Sequence, residues 1–223
     1  MRKTVPEIIR AVRTCIDEIA VNDAEFYTEK DSEELDTIIE QKIVDGVRFV
    51  HGTADEGMLT PDAFITEKGE TASIDDDLVG RVVLPENFMR LCYAGLSSWV
   101  MHVNKYVLWT DKEYAMLKDP YSTGTWERPK LALRGGGQKV LELYKAREKT
   151  DAFDIGFISE PELTEENGEK GITVSEKLWI ALVYYISGLT LLTLKDEHAD
   201  SMFNQALTLM GVSPTASVND ETT

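Results

Sequence analysis

Cysteine occurs only twice in the 223 residues, at Cys15 and Cys92, with no C-x-x-C pair and no spacing suited to zinc. A disulfide framework and a zinc ribbon are excluded on that count. Both thiols are expected to be buried as small hydrophobes, Cys15 on the stripe of a first helix and Cys92 in a strand. Histidine is almost as scarce. His51, His102 and His198 stand far apart and outside any H-E-x-x-H or H-x-H pattern, so no shared metal site is expected. Asp196, Glu197, His198 and Asp200 come closest, but acids at a helix start also favour the helix dipole. No apolar run approaches the roughly 20 residues of a membrane helix, and Met1-Arg2-Lys3-Thr4-Val5-Pro6 lacks the apolar core of a secretory signal. A chain made in a cytosol and indifferent to membranes is the expectation.

Basic side chains are also few, 23 against 40 acidic ones, for a net charge of −17. That balance disfavours general affinity for phosphate backbones, which attract basic patches. It fits a solvated surface, or a surface that nucleic acid passes without sticking. A hydrophobic content of 43% is ordinary for a chain that buries a core.

Catalytic and cofactor signatures are absent. The run Arg134-Gly135-Gly136-Gly137-Gln138-Lys139-Val140 satisfies neither the P-loop nor the dinucleotide fingerprint, and it leads into a strand, so it reads as a hairpin turn. Asp75-Asp76-Asp77 resembles the start of a calcium loop, with Gly80 and Glu86 at the sixth and twelfth positions. Its fifth position is Val79, which offers no side-chain oxygen, and no helix flanks it. No serine lies in G-x-S-x-G, and neither cysteine has an activating neighbour in sequence. No catalytic residue, metal or cofactor is expected from these patterns.

Hydrophobic periodicity supplies the architecture. Residues 4–20 read as a helix with a Thr4/Glu7 capping box, Pro6 in its first turn, and Ile8, Val12, Cys15 and Ile19 on one face. A second helix, capped by Asp31 or Ser32, carries Leu35, Ile38, Ile39, Ile43, Val47 and Val50 at helical spacing. Residues 52–77 read as a loop. Strands are predicted over 78–84, 90–94, 100–108, 130–134, 139–144 and 153–158. After an acidic loop at 159–171, Thr173 and Glu176 form a second capping box for a helix carrying Leu178, Leu182, Tyr185, Ile186, Leu189 and Leu192. A break at Lys195-Asp196 is followed by Ala199, Met202, Phe203, Ala206, Leu207 and Met210, with Gly211 as the stop. The pattern predicts an α+β chain: a helical bundle from N- and C-terminal helical hairpins (1–52 and 172–211), an inserted β-rich lobe (53–171) and a disordered tail (212–223).

Trp99, Tyr106, Trp109, Tyr114, Tyr121 and Trp126 gather in the middle of the chain, as a β-core or as an interface. The segment Val83-Leu84-Pro85-Glu86-Asn87-Phe88-Met89-Arg90-Leu91, with Trp99 beyond it, resembles the strand entry of head-to-tail adaptor and ring proteins of tailed phages. Tyr121-Ser122-Thr123-Gly124-Thr125-Trp126-Glu127-Arg128-Pro129-Lys130-Leu131-Ala132-Leu133 and the later Leu141-Glu142-Leu143-Tyr144 are similar to the continuation in crAss-like phages. Trp179-Ile180-Ala181-Leu182-Val183-Tyr184-Tyr185 and Leu194-Lys195-Asp196-Glu197-His198-Ala199 resemble their closing helical hairpin. The same topology occurs in tail tubular adaptors of short-tailed phages. Trp126-Glu127 departs from the pattern, where smaller residues are familiar.

The resemblance implies a structural, non-catalytic virion protein made in the host bacterial cytoplasm. It would form a ring of about twelve copies below the portal, in contact with the portal and other ring or tail proteins, and genomic DNA would pass non-specifically through the channel. It marks Leu84, Pro85, Phe88, Arg90, Trp99, Gly124, Arg128 and Pro129 as structural motif residues. Alternatives are another tail or head-fibre component, a host-side binding module working through the aromatic lobe, and a hydrolase using a carboxylate cluster.

Overall fold

The computed structural model describes residues 1–20, 29–67, 69–117, 119 and 121–213. In chain order the elements are β1 (Arg2–Thr4), α1 (Val5–Ala20), α2 (Glu29–Thr53), β2 (Ala63–Ile65), β3 (Ala72–Ile74), β4 (Val79–Val83), β5 (Phe88–Leu96), β6 (Tyr106–Leu108), α3 (Lys112–Met116), β7 (Leu131–Arg134), β8 (Val140–Tyr144), β9 (Phe153–Ser159), β10 (Thr164–Glu166), β11 (Glu169–Thr173), α4 (Trp179–Leu194) and α5 (Ala199–Leu209). Short 3-10 turns occupy Glu56–Met58 and Glu176–Leu178. The chain divides into two compact units, one built from Met1–Leu59 and the chain from Pro161 on, the other from Thr60–Glu160.

The expected helical bundle with an inserted β-rich lobe is corrected. Among the described residues the chain is α+β with five helices and eleven strands in three sheets, and β-structure is not confined to the middle. The terminal unit has its own antiparallel sheet in the order β1-β11-β10, with Arg2 opposite Thr173 and Thr164 opposite Gly171. These strands escaped periodicity because they are short and polar. In β11 only Ile172 offers a large apolar side chain, and backbone pairing alone leaves no side-chain signal. The second predicted capping box fails for the same reason: Thr173 is spent in the sheet, and Ser175 precedes the 3-10 turn instead.

The first capping box forms. The Thr4 N–H donates to the Glu7 carboxylate at 2.9 Å, and the Glu7 N–H reaches the Thr4 hydroxyl at 3.4 Å. That Thr4 N–H, assisted by the Lys3 charge, holds the Glu7 carboxyl below its ordinary range. Along α1 the buried face is Ile8, Val12 and Ile16, with Cys15 only half-buried near Met202, while Ile19 lies outside the described side chains. Helix α2 opens at Glu29, earlier than expected, and the proposed caps Asp31 and Ser32 lie outside the described side chains. Its Ile39, Ile43, Val47 and Val50 are fully buried, each contributing at most about 1.5–3 kcal/mol. Of the tail expected over 212–223, Val212 is instead half-buried against the helical core, its N–H donating to the Leu207 carbonyl at 3.0 Å, and residues from 214 on fall outside the described residues.

Helix α4 is the centre of this cluster. Together with the 3-10 turn it spans 19 residues, Glu176–Leu194, long and apolar enough to cross a membrane, contrary to the expectation above, yet half of that stretch is buried inside the protein as a core helix. Leu192, expected on the buried stripe, lies in water instead.

The middle unit holds an antiparallel sheet β2-β9-β5 and a five-stranded sheet β3-β4-β8-β7-β6, in which only β6 and β7 run parallel. Val82, Leu131, Leu141 and Leu143 of the larger sheet share one buried cluster with Phe88, Leu91, Phe153, Ile155 and Phe157. The glycine run links β7 to β8 as a hairpin, pairing Arg134 with Val140. Strands β2 and β3, three residues each, sit inside the expected loop, and the predicted strand over 100–108 shrinks to Tyr106–Leu108. Cys92, expected buried, is half-buried in β5.

Gly46 lies where α2 crosses α4, and a Cβ there would stand 2.8 Å from Ile186 Cγ1. Gly46→Val is expected to cost about 1–3 kcal/mol by overpacking, read as a lower midpoint in urea unfolding followed by circular dichroism.

Candidate functional site

The motif residues divide into three groups. Leu84, Phe88 and Trp99 belong to the β-core; the Trp99 indole N–H donates to the Lys145 carbonyl at 3.0 Å, and the Phe88 ring packs 5.6 Å from Phe157. Pro85 opens the turn into β5, where its carbonyl accepts from the Phe88 N–H at 3.0 Å, and Arg90 follows, half-buried, on that strand. With Phe64, Ile65, Leu84 and Phe157, Pro85 lines an open groove of about 840 Å³.

Gly124, Arg128 and Pro129 form a tight turn of their own. Gly124 bridges to Pro129, and Thr125 and Arg128 exchange backbone hydrogen bonds of 3.2 and 3.0 Å. The Thr125 hydroxyl also accepts from the Arg128 N–H at 3.1 Å. Gly124 has φ +81°, and a Cβ would lie 2.5 Å from the Arg128 carbonyl oxygen, so this backbone requires glycine. Trp126 at the tip stacks under the Arg147 guanidinium, 3.8 Å from the ring centre. These positions build a turn and a core; they do not converge on one pocket.

Two polar nodes were missed. Asp151, buried, accepts from the Ser98 hydroxyl at 2.6 Å and from the Arg147 and Glu148 N–H groups at 2.8 and 3.3 Å. Burial opposes its ionisation, but the Ser98 hydroxyl and the two backbone donors outweigh it and hold the carboxyl below its ordinary 3.8.

The second node is Glu142, 4% exposed, inside the apolar run of β8. Its neighbours Leu141 and Leu143 face the core, so strand alternation turns Glu142 and Tyr144 to the opposite face. On β4, Arg81 lies directly opposite Glu142, and on β7 Arg134 is two residues beyond its partner Ala132. The Tyr114 and Tyr144 hydroxyls donate to Glu142 Oε2 at 3.0 and 2.8 Å. Burial, then the Glu142 carboxylate, pushes both phenols above their ordinary value. These groups, with Asp77, Val79, Leu117, Thr123 and Lys145, line a cavity of about 530 Å³. A charge interrupting an apolar strand was the available sequence signal.

The remaining candidates are local pairs. His102 Nε2 lies 2.8 Å from Asp154, and His198 Nδ1 lies 2.9 Å from Asp196. Asp75 closes the β3–β4 turn by accepting from the Val79 N–H at 2.9 Å, and Asp76 pairs with Lys149. Among the described residues no group of three His, Cys, Asp or Glu side chains is placed to hold a metal ion. No family model and no curated protein matches the chain.

Two outcomes follow from this geometry. Gly124→Ala, forced into the left-handed region against a carbonyl, should lower the melting temperature by a measurable step, equivalent to about 1–3 kcal/mol. Asp151, with a lowered folded pKa, contributes stability above its unfolded value and loses it as pH falls through the folded one. Asp151→Ala should therefore cost about 1.5–3 kcal/mol at neutral pH, and its deficit against wild type should shrink below about pH 4 in thermal melts.

Proposed function

We propose that this chain is a structural virion protein, a ring subunit of a phage head-to-tail connector that joins the portal to the tail. The observation that carries this reading is the number of large apolar side chains left in water on both units. On the middle unit Tyr121 is 96% and Phe64 58% exposed, and Trp109, Val100, Met101 and Met116 join them. On the terminal unit Ile180 is 58% exposed, with Leu192, Leu194 and Leu209. The aromatic members of this set favour protein neighbours over one small ligand, because Tyr and Trp are the residues that anchor protein contacts. The motif resemblance points the same way, towards about twelve copies in a closed ring. The charge of −17 supports an acidic channel wall past which a phosphate backbone slides without being held. Another tail or head-fibre role would draw on the same exposed surface.

Light scattering coupled to size exclusion, with images of the purified protein alone and mixed with the portal protein of the same virion, tests the assignment. A closed ring in either sample is the expected result, and Tyr121→Ser with Trp109→Ser should weaken it without lowering the melting temperature. A monomer in both samples, with no complex on the portal, overturns it.

A further inference from the structure

The ring reading leaves one cluster of ionisable groups without a role, the cavity on the face of the five-stranded sheet turned away from the core. We propose that this cavity is an oxyanion-binding site that takes a carboxylate or phosphate group between Arg81 and Arg134. The proposal stands independently of the ring.

The sheet order β4-β8-β7 puts the two arginines on the strands either side of Glu142. With strands about 4.8 Å apart, their backbones are separated by roughly 10 Å, and both side chains converge over β8. Glu142 does not consume them. Its Oε2 already accepts from two phenols, and its Oε1 stays 4.0 Å from Arg81 Nε and 3.8 Å from the Arg134 guanidinium, beyond hydrogen-bond range. The carboxylate therefore draws two like charges together while leaving their donors open.

A guanidinium carries five N–H donors in a fork that matches carboxylate and phosphate oxygens. Arg81 commits one contact to Asp75 at 2.9 Å, and among the described residues Glu142 is the ion-pair partner of Arg134. The two side chains are 47% and 50% exposed, so a solute reaches them from water. Lys145 adds a third cation to the lining. With Asp75, which Arg81 already meets, the cavity and its rim set three cations against three acids, a neutral balance in a chain with 40 acids and 23 bases. Glu142 opposes an incoming anion, but it is 4% exposed, whereas the two guanidinia reach water and present their remaining donors to a solute first. The cavity, at about 530 Å³, has room for a small anion or for one acidic side chain of a second copy.

Calorimetric titration and thermal melts with inorganic phosphate and with citrate, against sodium chloride at matched ionic strength, test the site. Wild type is expected to bind saturably and gain melting temperature, and Arg134→Gln to bind at least tenfold more weakly with an unchanged circular dichroism spectrum. Arg134→Lys, which keeps the charge and loses the fork, should fall between them. Light scattering on the same samples separates the sources. If the natural anion is an acidic side chain of a second copy, phosphate and Arg134→Gln both reduce the assembly; if it is a free anion, the assembly is unchanged while binding persists. Equal responses to phosphate, citrate and chloride, identical in wild type and Arg134→Gln, would overturn the proposal, whatever the oligomeric state.

Discussion

A helix of sixteen residues without one charged side chain has an apolar face that must be covered, and the terminal unit is packed against that half of it. Its two buried hydroxyls are satisfied within the helix: Ser187 and Thr190 donate back to the carbonyls of Val183 and Ile186, each at 2.8 Å. Close approach of the neighbours depends on small residues. Gly46 admits Ile186 of α4 against α2, and Gly188 admits Phe203 of α5, where a Cβ would stand 2.8 Å from the ring. The segment leading into the helix is fixed by His51, whose Nε2 accepts the buried Ser175 N–H at 3.1 Å. The apolar stripes of α1 and α2 complete the cluster.

The middle unit solves a different problem, since both faces of its larger sheet need cover. One face meets the aromatic and aliphatic side chains of the smaller sheet; on the other, Tyr114 and Leu117 pack over Ala132 and Tyr144. That second face is where a carboxylate could be tolerated, because two phenols and two guanidinia surround it. Asp151 and Glu142 are thus contrasting solutions to a buried acid. Asp151 is saturated by donors and ties loops together, whereas Glu142 keeps cations close without fully engaging them.

Long, strongly patterned elements were legible in the sequence. The α1 cap, the α2 stripe, the break at Lys195, the Gly211 stop and the strands around the glycine hairpin all left side-chain periodicity or turn chemistry to read. What stayed hidden was short or backbone-driven: β1, β2, β3 and β10 have three residues each, too few for alternation to register. That omission made a two-part helical bundle look sufficient. The cavity was invisible for another reason. Arg81, Tyr114, Arg134 and Glu142 come from four elements, and only strand register brings them to one face. Motif reading marked Leu84, Phe88, Gly124 and Pro129, which shape the unit and lie outside the Glu142 cavity.

The pairing of Arg2 with Thr173 and Thr4 with Gly171 sets an order on synthesis. Thr60–Glu160 emerges from the ribosome ahead of β11, so the middle unit has all its strands while β1 still lacks a partner. The stripes of α1 and α2 meanwhile wait for α4, which is made later still. Those stripes are therefore the part of the nascent chain most exposed to capture by chaperones, although they end inside the buried cluster of the finished terminal unit.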